Sequence, residues 1–399
     1  MTTRSLFALL FIAAAALLQP ALCDFLTFHA DLQRTGNASG PGPDAPDLLW
    51  SEKVTAKGYI GGGAAVFDGR VYVASWPDMS YKGEQGIGSF GAGNGSLLWL
   101  NPIGGKGGAS TPALKDGRIY VGSFYGDLYC IDALTGETVW NRTLETDPQW
   151  WGIASSPLAL DEGVLVMTFS SGALHHLTLD GQEIWNLSTG KIDPYTSPAY
   201  FDGKVYFAGG DPALYCVDVS SGHILWKLPT EAPITSTPSV ADGSVFFASG
   251  DRFVAADAAT GDVIWEEPMT GTISSPAISH GRVYVGTGDS SLNCYDESSG
   301  NLLWRAETNG PVASSPVVAG GLVYFGTQTG EGIVYALDAM SGSTVWSYNV
   351  GEYVMSSPAV SDGLLFIGAD DGRVRAMGPK APTEAGVEMP FDLTQFIPI

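Results

Sequence analysis

Apolar and polar residues alternate along this chain in short runs separated by turns rich in glycine and aspartate. Such alternation is typical of half-buried β-strands, and apolar residues at helical spacing are almost absent. One phrase, Ile131-Asp-Ala-Leu-Thr-Gly-Glu-Thr-Val-Trp140, recurs in close or looser form. Its copies end at Trp50, Trp99, Trp140, Trp185, Trp226, Trp265, Trp304 and Trp346, 39 to 49 residues apart. A period of about 40–45 residues indicates units of four short strands, as in propeller blades.

A second marker, Ser-Pro or Thr-Pro, follows each of these tryptophans by 11 to 17 residues. Its positions are Ala64 (a stand-in), Pro112, Pro157, Pro198, Pro238, Pro276, Pro316 and Pro358. Two markers that each occur eight times predict an all-β fold, an eight-bladed β-propeller of four-stranded antiparallel blades.

The two ends of the repeat region complement each other. Three strands follow Pro358 and end near Met377, without a final tryptophan phrase, whereas Trp50 has no three strands before it. We therefore expect residues 47–53 to complete the last blade, which removes free sheet edges. Asp-Gly pairs such as Asp116-Gly117 predict type I′ turns between first and second strands.

The tryptophan phrase resembles the repeat of quinoprotein-like (PQQ-like) β-propellers, a group that includes BamB-type assembly lipoproteins and quinone-dependent alcohol dehydrogenases. The resemblance covers roughly residues 28–377. It implies the propeller fold. It does not imply one chemistry, because members with and without a cofactor share the repeat.

Outside the repeats, residues 1–23 read as a secretory signal peptide, with Arg4, an apolar core at 6–18 and a small-x-small site at 21–23. Cys23 is alternatively a lipidated cysteine. Residues 24–46 form an N-terminal segment and linker, 47–378 the propeller and 379–399 a polar tail. An exported monomer without a transmembrane span is expected, because the apolar core is too short to cross a bilayer.

The chain is strongly acidic, with a formal net charge of −23 at pH 7. This charge disfavours nucleic acid and anionic membranes as partners. Cys130, Cys216 and Cys294 lie on different repeats at equivalent positions, so we expect unpaired, buried thiols. His29, Asp31 and Arg34 suggest an ion-paired plug against the propeller more than a catalytic group.

Loops that enter first strands and loops that join second to third strands share one propeller face. The binding candidates placed there are Trp150, Trp151, Lys106, Asp193, Tyr195 and Tyr353, together with Tyr59, Glu231, Glu352 and the insertion at 76–84. Trp150 and Trp151 fall outside the tryptophan register. They indicate either an aromatic lid or, by the family resemblance, a shelf for a quinone.

Other patterns carry less chemistry. Carboxylates recur between second and third strands, at Asp127, Asp211, Asp251, Asp289, Glu331, Asp370 and Asp371. Tight turns explain them better than a calcium ring. The G-x-G-x-x-G at 86–91 falls in a third strand, and His175-His176 reads as a core or strand-surface pair, so no metal site is expected.

Two functions follow from this sequence. The first is an exported, non-catalytic scaffold that binds a protein or small-molecule ligand at one face, with no cofactor. The alternative is a quinone-dependent dehydrogenase, for which the resemblance implies pyrroloquinoline quinone (PQQ) with calcium. The repeat explains almost every residue and leaves few for catalysis, which favours the scaffold.

Overall fold

Strands make up almost all of the regular structure. The computed structural model describes residues 24–54, 58–76, 85–105, 107–108, 110–146, 152–191 and 196–380. These residues form eight sheets of four antiparallel strands, and each sheet is one blade. The predicted all-β, eight-bladed propeller is confirmed.

The strands follow the chain blade by blade after β1 (Leu48–Lys53). Blades 1 to 4 are β2 (Ala65–Phe67), β3 (Arg70–Ala74), β4 (Ile87–Gly91), β5 (Leu97–Asn101); β6 (Ala113–Lys115), β7 (Arg118–Gly122), β8 (Asp127–Asp132), β9 (Thr138–Thr143); β10 (Leu158–Leu160), β11 (Gly163–Met167), β12 (Ala173–Leu177), β13 (Glu183–Ser188); and β14 (Ala199–Phe201), β15 (Lys204–Ala208), β16 (Ala213–Asp218), β17 (Ile224–Pro229).

Blades 5 to 7 are β18 (Ser239–Ala241), β19 (Ser244–Ser249), β20 (Arg252–Asp257), β21 (Val263–Pro268); β22 (Ala277–Ser279), β23 (Arg282–Thr287), β24 (Ser291–Asp296), β25 (Leu302–Glu307); and β26 (Val317–Ala319), β27 (Leu322–Gly326), β28 (Ile333–Asp338), β29 (Thr344–Asn349). Blade 8 contains β30 (Ala359–Ser361), β31 (Leu364–Gly368) and β32 (Arg373–Met377), with β1 as its outer strand. A short 3₁₀ turn spans Ile103–Gly105.

The ring is closed by the N-terminal strand, as the sequence predicts. β1 pairs with β32 in antiparallel register, from Leu48 opposite Met377 to Lys53 opposite Arg373. The Asp-Gly turns also match their prediction, because Asp116 and Gly117 both have positive φ, 49° and 72°. First strands of neighbouring blades approach each other and surround a central channel.

A tryptophan clasp joins each blade to the next. At seven seams the indole Nε1 donates to a backbone carbonyl of the following blade, and at the eighth to a carbonyl of the N-terminal segment, all at 2.8–3.2 Å. At seven of these seams a glycine also lies against the indole ring. It belongs to the turn before the outer strand of the following blade, as Gly136 does beside Trp99. A β-carbon on these glycines would lie 2.5–3.1 Å from the indole. The Thr/Ser-Gly pair therefore makes the turn and seats the ring.

The last seam uses a substitute carbonyl. At an ordinary seam, Tyr206 Oη and Trp226 Nε1 both donate to Ala258 O, at 3.0 and 3.2 Å. In blade 8, the described residues after the third strand, up to Lys380, do not supply this acceptor. Tyr324 Oη and Trp346 Nε1 instead donate to Pro43 O, each at 3.0 Å. The N-terminal segment thus completes both the sheet and the clasp of the final blade.

The Ser-Pro marker has a structural role around the channel. The backbone N–H of the residue before each proline donates to the hydroxyl of its counterpart in the next blade. Seven such bonds of 2.7–3.1 Å run in the described residues from Gly63 through Thr111, Ser156, Ser197, Thr237, Ser275 and Ser315 to Ser357. This serine ring fixes the spacing of the first strands.

The thiols lie in the same seams. Cys130, Cys216 and Cys294 are free and buried, as expected. Cys130 pairs across the strands with Trp140, and the others pair with their tryptophans likewise. Burial raises the pKa of Cys130 to about 11, so this thiol is protonated at neutral pH.

Replacing Trp226 by alanine should lower the free energy of unfolding by about 3 kcal/mol, because the seam loses a packed ring and a hydrogen bond. Chemical denaturation of the purified protein measures the change. Leu225→Ala is the matched control, since Leu225 precedes Trp226 in β17 but is 49% exposed. A Trp226 variant no less stable than this control would contradict the clasp as a stabilising contact.

Candidate functional site

The N-terminal segment occupies the channel. Residues 25–38 run along the inner edges of the first strands, which would otherwise present unpaired backbone groups. Val66, Leu114, Tyr200, Val240, Ile278 and Val318, from six different blades, donate their N–H groups to carbonyls of this segment at 2.7–2.9 Å. The plug expected from the sequence is therefore present, and it lies inside the channel.

Arg34 is the centre of this plug. Its side chain is fully buried, and its five N–H groups all donate. The acceptors are Pro198 O, Thr27 Oγ1, Phe28 O, Ser156 O and Pro157 O, at 2.7–3.1 Å. Burial lowers the pKa of Arg34 to about 9, so the guanidinium stays charged at pH 7.

The ion pair that the sequence predicts within the plug does not form, so this prediction is wrong. Asp31 turns toward its own loop and accepts from the backbone N–H of Thr35 at 2.9 Å and from the Thr35 hydroxyl. The charge of Arg34 is instead stabilised by four backbone carbonyls and the Thr27 hydroxyl. His29 is buried beside it, with Nδ1 3.0 Å from Arg34 O, and burial lowers the pKa of His29 to about 4.

The space above the plug is small. A pocket of about 70 Å³ lies over Phe28, between the serine ring and Trp76, Ile273 and Met355. Sites for small-molecule cofactors usually measure about 300–1,000 Å³. The space directly over Phe28 therefore has room for a few water molecules and does not fit a tricyclic quinone.

The face at which this pocket opens carries the candidate binding residues. Loops that enter the first strands and loops that join second to third strands meet there, and we call it the loop face. Tyr59 and Trp76 exchange backbone hydrogen bonds of 3.1 and 3.0 Å, with ring centroids 6.4 Å apart. Trp76 lies 6.5 Å from Phe124, which lies 6.1 Å from Tyr125. These four residues form an aromatic arc over blades 1 and 2.

The described part of the chain contains only some of the predicted site residues. Tyr353 lies on the loop face and is 44% exposed, and Tyr59 belongs to the arc. Trp150, Trp151, Lys106, Asp193, Tyr195 and residues 77–84 lie outside the described residues, so their roles stay predictions. Sequence reasoning missed Phe124 and Tyr125. Two adjacent aromatics directly before Gly126-Asp127 were the available signal.

The recurring loop-face carboxylates serve separate blades. Asp211 accepts from Lys227 at 2.6 Å, Asp289 from Arg305 at 3.2 Å, and Asp371 from Arg375. Within the described ranges, no three histidine, cysteine or acidic side chains meet in a group that could hold a metal. Asp370, one of these carboxylates, has a raised pKa. Burial, followed by the negative charges of Glu352 and Asp371, raises it to about 6.

The histidine pair is part of the core, as the sequence suggests. His176 takes the cysteine position opposite Trp185, with ring centroids 5.3 Å apart. His175 Nδ1 lies 3.0 Å from Glu183 Oε1. Burial lowers the pKa of both histidines, which keeps them neutral in the folded protein at pH 7.

Comparison with known proteins gives the family. The model described as outer membrane protein assembly factor BamB matches residues 42–196, 179–274 and 254–381. The chain belongs to this BamB-like family. BamB from Yersinia pestis is 23% identical over 326 residues, which cover 76% of this chain and 80% of that protein.

Two solved structures share the family's fold. BamB from Moraxella catarrhalis has a TM-score of 0.67 at 19% identity, covering 84% of this chain and 98% of the other. The quinohemoprotein alcohol dehydrogenase from Comamonas testosteroni has a TM-score of 0.74 at 15% identity, covering 91% and 82%. The fold alone therefore does not distinguish a binding protein of this family from an enzyme.

Replacing Arg34 by lysine should lower the free energy of unfolding by about 3 kcal/mol, although the charge is kept. An ammonium has three donors, so at least two of the five acceptors lose their partner inside the channel. Denaturation measures the effect, and Arg70→Lys is the control, because half-buried Arg70 makes one bond, to Leu134 O at 3.2 Å. Equal stability of the two variants would exclude Arg34 as the hub of the plug.

Stability should fall as pH drops below about 6.5, where unfolded histidines bind protons that the buried ones resist. His176→Cys, which installs the residue of blades 2, 4 and 6, should lose less stability between pH 7.5 and 4.5 than the parent. Each unit of pKa shift corresponds to about 1.4 kcal/mol of the difference. His223→Cys, on an exposed turn, should follow the parent. Parallel pH profiles for His176→Cys and the parent would rule out this source of acid sensitivity.

Proposed function

We propose that this chain is an exported, non-catalytic propeller that binds a protein partner at its loop face. The observation that carries the proposal is the plugged channel. Fourteen residues of the chain itself fill the place where a propeller can enclose a small ligand, and about 70 Å³ remains above them. The surface left for recognition is the open face around the pocket.

The loop face has the composition of a protein-binding surface. The aromatic arc and Tyr353 flank the pocket mouth, and tyrosine and tryptophan are enriched at binding hot spots. The relatives in Yersinia pestis and Moraxella catarrhalis are named as BamB, and the former as an outer membrane protein assembly factor. The name of an assembly factor suggests a binding role, and the composition of the loop face suggests the same role. We include Trp150, Trp151, Lys106, Asp193 and Tyr195 as proposed contacts on the same face.

Export is proposed from the leader at residues 1–23, which lies outside the described residues, and from the name of the Yersinia relative, an outer membrane protein assembly factor. No helix in the described ranges is long and apolar enough to cross a bilayer. The formal charge of −23 favours a partner with basic or neutral surfaces over nucleic acid.

Quinone-dependent oxidation is the second candidate, favoured by the fold shared with the Comamonas enzyme. Pyrroloquinoline quinone would supply a two-electron acceptor for an alcohol. The described channel residues do not fit it, because Phe28 and the serine ring close the space that a planar tricyclic acid needs. No step through that cofactor is assigned to these residues.

Photocrosslinking in the native host tests the proposed face. A benzophenone amino acid at Tyr353 should give a discrete adduct with a protein partner, because 44% of that side chain is exposed on the loop face. The same probe at Phe201, 37% exposed at the opposite end of blade 4, should give none. Tyr125 is a second loop-face position, at 45% exposure.

Adducts at Phe201 with none at Tyr353 or Tyr125 would place binding on the other face. Saturable quinone absorption after incubation with pyrroloquinoline quinone and calcium, together with dye-linked alcohol oxidation, would instead establish the dehydrogenase. Either result would overturn the proposal.

A further inference from the structure

One position in the third strand, held by tyrosine in three of the eight blades, lies at the outer corner between neighbouring blades near the loop face. Tyr129, Tyr215 and Tyr335 occupy it in blades 2, 4 and 7, directly before the residue that pairs with the outer tryptophan. We call it the tyrosine position. Its side chain faces the preceding blade, and an aromatic ring there fills the corner.

Blade 4 shows the filled corner. The Tyr215 ring stacks on Phe207 with centroids 5.3 Å apart, and Tyr215 Oη donates to Asp211 at 2.9 Å. The Lys227 ammonium lies 5.1 Å from the ring centroid and 2.6 Å from Asp211. Ring, cation and carboxylate therefore come from the same blade, and the corner is complete without a partner.

Blade 6 keeps the ion pair and lacks the ring. Asn293 takes the tyrosine position and pairs with Arg305, as Tyr215 pairs with Lys227. The tyrosine of this blade comes two residues later, where Tyr295 stacks on Trp265 at 6.4 Å. Asn293 Nδ2 donates to Tyr295 Oη at 3.0 Å. A groove of about 660 Å³ opens where the ring would lie.

This blade 5–6 groove has an apolar floor and an acidic rim. Met269 and Tyr295 lie at its floor, and the rim carries Asp251, Glu267 and Asp289. Asp289 pairs with Arg305 at 3.2 Å, and Arg305 is shared with Glu307 at 2.9 Å. No described cationic side chain lies within 4.0 Å of Asp251 or Glu267. The groove therefore has more carboxylates than cations.

The surrounding half of the propeller strengthens this charge. Residues 228–379 contain seventeen aspartates and glutamates, five arginines and no lysine. A concave surface with charges of one sign concentrates oppositely charged groups. The complement of the groove is consequently a flat or slender cation with an apolar stem.

We propose that the blade 5–6 groove binds an arginine side chain on an extended segment of a partner protein. The inference rests on the proposed function, for which it names one contact. The guanidinium bonds to Asp251 and Glu267, and the methylene stem packs on Met269 and Tyr295 in place of the missing ring. Arginine suits the site better than lysine, because its planar fork can bridge two carboxylates.

The test uses the purified full chain with ¹³C-methyl methionine and the peptide acetyl-Ser-Arg-Ser-amide. The Met269 methyl resonance should shift saturably with this peptide, whereas the more distant Met340 resonance should not. A citrulline peptide, which keeps the shape and removes the charge, should bind at least tenfold more weakly.

Two variants test whether peptide binding depends on the groove itself or only on the acidic charge of the protein. Asn293→Tyr installs the residue of blades 2, 4 and 7 and should abolish the shift without lowering the melting temperature. Glu267→Gln should weaken binding about tenfold, whereas Glu297→Gln, an acidic control outside the groove, should not. If Asn293→Tyr fails to fold, Glu267→Gln and the citrulline peptide still decide the outcome.

An unshifted Met269, equal binding of the citrulline peptide, or unchanged binding by Glu267→Gln would overturn the groove proposal. The crosslinking at Tyr353 reports independently on the loop face. Adducts that persist while the groove shows no peptide binding would leave the proposed function standing and remove this contact alone.

Discussion

The bond from each indole to a carbonyl of the next blade is the interaction on which this structure depends. One four-stranded sheet cannot bury both of its faces, so a blade is stable only when neighbours cover it. Blades diverge toward the rim, and a large ring with one donor fills the widening gap. The turn glycine lets that ring approach, and the carbonyl fixes its position. A missing acceptor would leave a buried N–H unsatisfied, which explains why the chain's beginning provides Pro43 at the last seam.

The same requirement operates around the channel. First strands have a free inner edge, and eight of them enclose a space too wide for their side chains to fill alone. The N-terminal segment satisfies those edges in six blades, and Arg34 joins it to the carbonyls of blades 3 and 4. Closing the ring and filling its centre are thus tasks of one continuous stretch, residues 25–53. This stretch takes up the channel, and for that reason we propose the loop face as the binding surface.

Local pattern explains what could be predicted from the sequence. The blade number, the closing strand and the Asp-Gly turns depend on repeat spacing and residue conformation, which are visible along the chain. The contacts of Arg34 reach residues up to 164 positions away, so only the fold reveals them. The expected ion pair was wrong because Asp31 had a nearer donor in Thr35. Tyr353 and Tyr59 lie on the loop face, and their binding role stays a prediction. Phe124 and Tyr125 stand in the same turn as Asp127, and a turn pattern does not indicate that such aromatic side chains meet Trp76 in the fold.

A repeat protein provides its own reference for each position, and this makes its departures informative. His176 replaces a cysteine, but its ring packs on Trp185 and stays neutral, so the seam remains closed. Asn293 takes a position that holds tyrosine in three of the eight blades, and a groove of about 660 Å³ opens beside it. When the different side chain still fills the seam, as His176 does, the fold loses little stability, so the difference indicates drift within the packing. A position beside which a groove stays open is different, and this is why we place the proposed contact with another molecule there.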